Sequence, residues 1–172
     1  LGDVYKRQVM NREDADKLFY TPVDVYSPVA PNQPSVERAV EILTSAKRPA
    51  ILLGKGAAYA KLDDKIKTLV EKYNIPYLPM SMAKGLLPDN GPLSALSCRS
   101  TIMEKADVVM VIGARLNWML SFGKGKWNPD MKFIQLDVEP QEIDVNVPIA
   151  APVVGDMGLS LDAILSALEG KK

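Results

Sequence analysis

Hydrophobic positions along the chain alternate between a helical spacing and short unbroken runs. Val36, Ala39, Val40 and Leu43 fall at i, i+3, i+4 and i+7 behind Ser35, which predicts a helix with Ser35 as its N-cap. Pro49 marks the exit from that helix. Ala50-Ile51-Leu52-Leu53 is then a continuous apolar run stopped by Gly54, the pattern of a strand buried on both faces. Leu62, Ile66, Leu69, Val70 and Tyr73 return to the helical spacing, with Asn74 as the C-terminal cap. A second strand is predicted from Pro76 to Met80, with Pro79 at its exit. It is followed by Lys84-Gly85-Leu86-Leu87-Pro88-Asp89-Asn90-Gly91-Pro92, too rich in breakers to be anything but a turning loop. A short helix around Ser100 to Ala106 leads into Val108-Val109-Met110-Val111-Ile112-Gly113, the most strand-like run in the chain. Phe133 to Asp137 reads as a fourth strand and Ala151 to Gly155 as a weaker fifth, which Pro152 assigns to a sheet edge. Leu161, Ile164, Leu165 and Leu168 share one face of a last helix. Strands alternating with helices at this spacing predict an α/β fold: a doubly wound, mostly parallel sheet with helices on both faces.

The amino-terminal part lacks such a period. From Val9 to Pro34 the prolines Pro22, Pro28, Pro31 and Pro34 crowd together, as in a connector that wraps over a surface. Leu1-Gly2-Asp3-Val4-Tyr5-Lys6-Arg7-Gln8 resembles the translation of a transposon mosaic-end adaptor, so residues 1–8 are set aside as a sequencing scar. The expected organisation is therefore scar at 1–8, interdomain linker at 9–34 and one nucleotide-binding domain at 35–172. A chain of 172 residues has no room for a second catalytic domain.

Composition narrows the chemistry. Lys and Arg number 21 against 21 Asp and Glu, so no charge footprint for nucleic acid or an anionic membrane is visible. The chain has no His, which excludes a Ser-His-Asp triad, a His general base and every His-containing metal site. Cys98 is the single cysteine, so no intramolecular disulfide can form, in keeping with a reducing cytosol. No apolar run reaches the roughly 18 residues that a membrane span needs. A cytoplasmic location is the expectation.

In a parallel sheet, ligands bind beyond the carboxyl ends of the strands. Gly54-Lys55-Gly56-Ala57-Ala58 follows the first strand: small residues that let backbone approach a phosphate, with one Lys to meet its charge. It is a degenerate G-x-G-x-x-G in which Tyr59 replaces the third Gly, and a plain strand-to-helix turn explains it equally well. The second strand ends on Met80-Ser81-Met82, without the acidic residue that would hold an NAD ribose, which argues against a nicotinamide dehydrogenase. Arg115 follows the third strand, Asp137 ends the fourth and Asp156 follows the fifth. With Lys55 they would put two cations and two carboxylates along one rim, as a nucleoside diphosphate requires. Helix N-caps are the alternative for Asp137 and Asp156, and a surface ion pair is the alternative for Arg115. The loop from Asn117-Trp118 to Phe122-Gly123-Lys124-Gly125-Lys126-Trp127 could contact an anion or another domain, but reads better as a solvated loop anchored by Trp118 and Trp127. Met80, Met82, Met103 and Met110 read as core filler.

Four longer stretches carry a resemblance. They run from Lys47 through Gly54-Lys55-Gly56 to Ala60, from Leu78 to Asn90, from Ile112 through Arg115 to Trp118, and from Pro148 to Asp156. From about Ser35 to Leu168 the sequence resembles the Rossmann-like central domain of the thiamine-diphosphate-dependent oxalyl-CoA decarboxylase family. The first three stretches are also similar to 2-hydroxyacyl-CoA lyase, and the segment from Phe133 to Asp144 favours the decarboxylase. The resemblance implies a parent enzyme that converts oxalyl-CoA to formyl-CoA and carbon dioxide with thiamine diphosphate and magnesium, both held by flanking domains. It implies an ADP activator site in the central domain. Lys55 and Arg115 would meet the ADP phosphates, while Asp137, Val138, Asp156 and Met157 would line its ribose and adenine. Arg99 would contact the CoA adenosine or its 3′-phosphate, with a plain surface charge as the alternative. Gly155-Asp156-Met157-Gly158 only superficially echoes the magnesium-diphosphate motif, so no residue here is expected to be catalytic or to bind metal. The fragment alone should be inactive. Its expected partners are a nucleotide, an acyl-CoA and the missing domains of a homo-oligomeric parent. A free-standing nucleotide-binding module and a structural spacer with a vestigial site are the competing readings.

Overall fold

A computed structural model describes residues 27–171. The adaptor-like segment and residues 9–26 of the expected linker lie outside the described residues. The elements are α1 (Gln33–Ser45), β1 (Pro49–Leu53), α2 (Lys55–Tyr59), α3 (Asp63–Tyr73), β2 (Tyr77–Pro79), α4 (Arg99–Lys105), β3 (Val108–Ile112), β4 (Lys132–Asp137), β5 (Ala151–Val154) and α5 (Met157–Leu168). The strands form one sheet in the order β2-β1-β3-β4-β5, every neighbouring pair parallel. β5, the strand with the internal proline, is at an edge as its sequence implied.

Period-two alternation sorts the strand side chains between two cores. Ile51, Leu53, Met110, Ile112, Ile134, Leu136 and Val153 join Val36, Val40, Ile66, Leu69, Leu161 and Ile164 of α1, α3 and α5 in one buried cluster. Ala50, Leu52, Val109, Val111 and Phe133 join a second cluster with Met103 of α4 and with Leu116, Leu120 and Trp127. Helices do lie on both faces, but unequally. Three cover the first, whereas α4 shares the second with the long connection from β3 to β4.

Trp127 anchors that connection: its indole N–H donates to the Leu120 carbonyl at 2.6 Å, and its ring meets Phe133 edge-on at 5.2 Å. Trp118, expected to anchor it too, is 73% exposed. Met103 and Met110 are core residues as expected, but Met82 is an exposed surface side chain.

Two boundaries also differ from the sequence reading. The first helix is flanked by Asn32 rather than Ser35 and starts at Gln33, with Pro34 in its first turn. Proline suits that position because a first-turn N–H has no helical partner to lose. Pro49 belongs to β1 as its first residue, where strands tolerate proline. Asn74 closes α3 in the left-handed conformation, φ 52°, as its position predicts.

Asp107 ties the start of β1 to the start of β3, its two carboxylate oxygens accepting the backbone N–H groups of Lys47 and Arg48 at 2.8 and 2.9 Å. Burial pushes its pKa up, but these bonds and the Arg48 charge outweigh that effect and hold it below the ordinary 3.8. Among the described residues no helix is long and apolar enough to cross a membrane.

Candidate functional site

From β1 the chain moves to β2 on one side and then returns to place β3 on the other. Crossovers that part in this way open a crevice at the carboxyl ends of the two central strands. β1 and β3 pair flush, Leu53 opposite Ile112, so the turns that follow them emerge side by side.

Glycines set how closely those turns meet. The Gly54 amide donates to the Ile112 carbonyl and the Gly56 amide to the Gly113 carbonyl, both at 2.9 Å. A Cβ on Gly54 would lie 2.2 Å from the Gly113 carbonyl oxygen, and one on Gly113 would lie 2.5 Å from the Ala57 nitrogen. Gly113 also has φ +59°, a conformation that side chains disfavour. The nearest neighbours of these glycines are therefore each other's turns, a packing role that the motif reading alone did not reveal.

Above the interlocked turns is a cleft of about 470 Å³, a size suited to a small ligand. Lys55, Arg115, Asp137, Val138 and Met157 all line it. The two cations thus share one edge of the sheet. Lys55 rests its ammonium 4.9 Å from the centroid of the Tyr59 ring. Arg115 pairs with Glu142 at 2.9 Å while its side chain remains 67% exposed. A guanidinium carries five N–H donors, so this pair leaves capacity for a second acceptor. Sequence inspection at strand ends did not find Glu142, which sits in a 3₁₀ turn, Pro140–Glu142, after β4.

Asp137 Oδ1 accepts the Glu139 N–H at 3.1 Å. It does not cap the following turn; Glu139 does, by accepting the Gln141 N–H. Asp156 does act as a cap, its Oδ1 accepting the Leu159 N–H at 2.9 Å at the start of α5. It is not one of the residues that line the cleft, whereas its neighbour Met157 is. The cleft also takes in Tyr59, Met80, Ser81, Met82 and Met119. The Met80-Ser81-Met82 stretch follows β2, so its strand-end position was the available signal, passed over because it lacks a carboxylate.

Arg99 lies elsewhere. It lines a second depression of about 420 Å³ with Ser97, Ser100, Ser121 and Lys126, and its guanidinium donates to the Met119 carbonyl. Met119 borders both clefts. With Met119 and Ser121, Lys126 brings the Gly- and Lys-interrupted loop to this second site. Among the described residues no group of three or more His, Cys, Asp or Glu side chains is placed to hold a metal ion.

Residues 36–164 match the family described as "Thiamine pyrophosphate enzyme, central domain". The chain is 50% identical over 159 residues to an oxalyl-CoA decarboxylase of Escherichia coli (strain K12), a match covering 91% of this chain and 28% of that protein. It is 44% identical over 158 residues to a 2-hydroxyacyl-CoA lyase of Arabidopsis thaliana, covering 87% of this chain and 27% of that one. Among solved structures, benzoylformate decarboxylase from Polynucleobacter necessarius superposes with a TM-score of 0.66 at 19% identity, over 87% of this chain and 30% of that chain. The last match speaks for the fold alone.

Proposed function

Because the chain belongs to the thiamine pyrophosphate enzyme central-domain family, we propose that it is the nucleotide-binding middle portion of an oxalyl-CoA decarboxylase. In this reading the parent converts oxalyl-CoA to formyl-CoA and carbon dioxide. Its carbanion chemistry is supplied by thiamine diphosphate and magnesium, bound outside this chain. The present residues bind and orient; they do not react. ADP enters the cleft between the β1 and β3 turns, with its phosphates between Lys55 and Arg115. Its ribose and adenine lie toward Asp137, Val138 and Met157, and Asp156 shapes that side as the cap of α5. Arg99 takes an anionic part of CoA in the second depression, with Lys126 beside it.

One observation supports this reading above the others: Lys55 and Arg115, from two separate turns, line one cleft of ligand size. A structural spacer would not need two cations facing one space. Identity of 50% to the decarboxylase against 44% to the lyase favours the former as parent, and a 2-hydroxyacyl-CoA lyase is the second reading.

Thermal unfolding with and without ADP tests the site. A ligand at one hundred times its dissociation constant adds about 2.7 kcal/mol, enough to raise the midpoint by several degrees. A rise with ADP that Lys55→Met and Arg115→Met each diminish is expected. No rise at millimolar ADP would reject the site, and an equal rise with NAD would favour a dinucleotide instead.

A further inference from the structure

The nucleotide reading leaves Tyr59 without a task. This residue stands where the third glycine of a G-x-G-x-x-G would be, at the end of the one-turn helix α2 and four residues after Lys55. Its side chain is not core: Tyr59 is 72% exposed, yet it borders the cleft. Its ring instead lies under the Lys55 ammonium, 4.9 Å from centroid to nitrogen.

A lysine at the mouth of an open cleft has a long, flexible stem and would spread its charge over many rotamers. The electron-rich face of an aromatic ring attracts an ammonium and restricts it. A carboxylate partner would restrict it too, but would cancel the charge that a phosphate needs. The ring holds the cation without neutralising it, and the N–H donors directed away from the ring remain available.

We infer that Tyr59 is a positioning residue: its ring face holds the Lys55 ammonium at the cleft mouth for a phosphate-bearing ligand. The inference rests on the nucleotide reading for the ligand's identity, while the contact between ring and ammonium is a property of the protein alone.

The test therefore has two arms, both on the full chain. In proton–carbon NMR spectra the Lys55 methylene protons beside the nitrogen should be shifted upfield by the ring in the wild type and in Tyr59→Phe, and not in Tyr59→Leu. In calorimetric titrations Tyr59→Leu should weaken ADP about three-fold, the scale of an exposed cation–π contact. Tyr59→Phe should restore it, adenosine should bind equally to all three proteins, and Tyr59→Leu should add nothing in a Lys55→Met background. Absence of the upfield shift from the wild type overturns the inference, as does an equal loss with adenosine or in the Lys55→Met background. A normal upfield shift with no ADP binding supports the contact and overturns the nucleotide reading instead.

Discussion

The two faces of the sheet are covered in different ways. On one, α1, α3 and α5 present residues at regular helical spacing, and the buried cluster follows that spacing from Val36 to Leu168. On the other, α4 is a seven-residue helix and much of the cover is a connection from Gly113 to Met131 held down by Trp127 and Leu120. Within it Ser121 and Phe122 take φ values of 50° and 53°, conformations that cost a non-glycine residue about 1 kcal/mol or more. The same connection lines both clefts. One face is built for regular packing, whereas the other gives up regularity and places Arg115, Asn117 and Met119 at the cleft.

The sharpest way to break this arrangement is at the seam where both faces meet the site. Gly54→Val should cost about 3–5 kcal/mol, because its Cβ would collide with rigid backbone at Gly113. Urea denaturation would measure it, and a loss under 1 kcal/mol would mean that the turns are not interlocked.

Next come the two cores. Leu161→Ala on the helical face should cost about 2–5 kcal/mol and lower stability everywhere at once. Trp127→Leu leaves the Leu120 carbonyl without its indole donor and removes the edge contact to Phe133. It should cost less, about 1–3 kcal/mol, and open the connection locally. Hydrogen exchange separates the outcomes: faster exchange confined to residues 114–131 for Trp127→Leu, and spread through all strands for Leu161→Ala.

Asp107 supports both halves of the sheet through the Lys47 and Arg48 amides. Its pKa is lowered on folding, so its ionised form stabilises the fold fully above the unfolded value near 3.8, and that contribution is lost as pH falls through the lower folded value. Asp107→Asn should cost about 1 kcal/mol near neutrality. The stability gap between variant and wild type should narrow below pH 3.8; a gap that stays constant with pH would deny the carboxylate this role.

The smallest effects are the most telling about strain. Ala163→Gly in α5 should destabilise by about 1 kcal/mol, whereas Ser121→Gly should be neutral or stabilise by about the same amount. Thermal midpoints that fall equally for both would remove the contrast between the faces.

Legibility from sequence follows the same division. Periodicity located α1, α3 and α5, because Val36, Ile66 and Leu161 each sit on a stripe that a helix must bury. It located the strands as well, since two-sided burial gives unbroken apolar runs. Strand-end logic pointed to Lys55, Arg115 and Asp137, and the family resemblance added Val138 and Met157; all five line one cleft. Strand-end logic also pointed to Asp156, for which a helix cap was the alternative, and Asp156 does cap α5. What escaped depends on geometry between separate turns: the Gly54–Gly113 contact, the Glu142 partner of Arg115, and the unequal roles of Trp118 and Trp127. No local period encodes which of two tryptophans in one loop is buried. The family resemblance rests on long ordered stretches between about Ser35 and Leu168, and the match to residues 36–164 agrees with it.

A purine diphosphate in the cleft between the β1 and β3 turns is the proposal that most needs a direct measurement. Titration of the isotope-labelled chain with ADP, followed through its amide NMR signals, addresses it residue by residue. Saturable shifts concentrated at Gly54–Gly56, Gly113–Arg115 and Asp137–Val138 are expected, weakened strongly by Lys55→Met. Shifts centred on Arg99 and Lys126, or none at millimolar ADP, would contradict it.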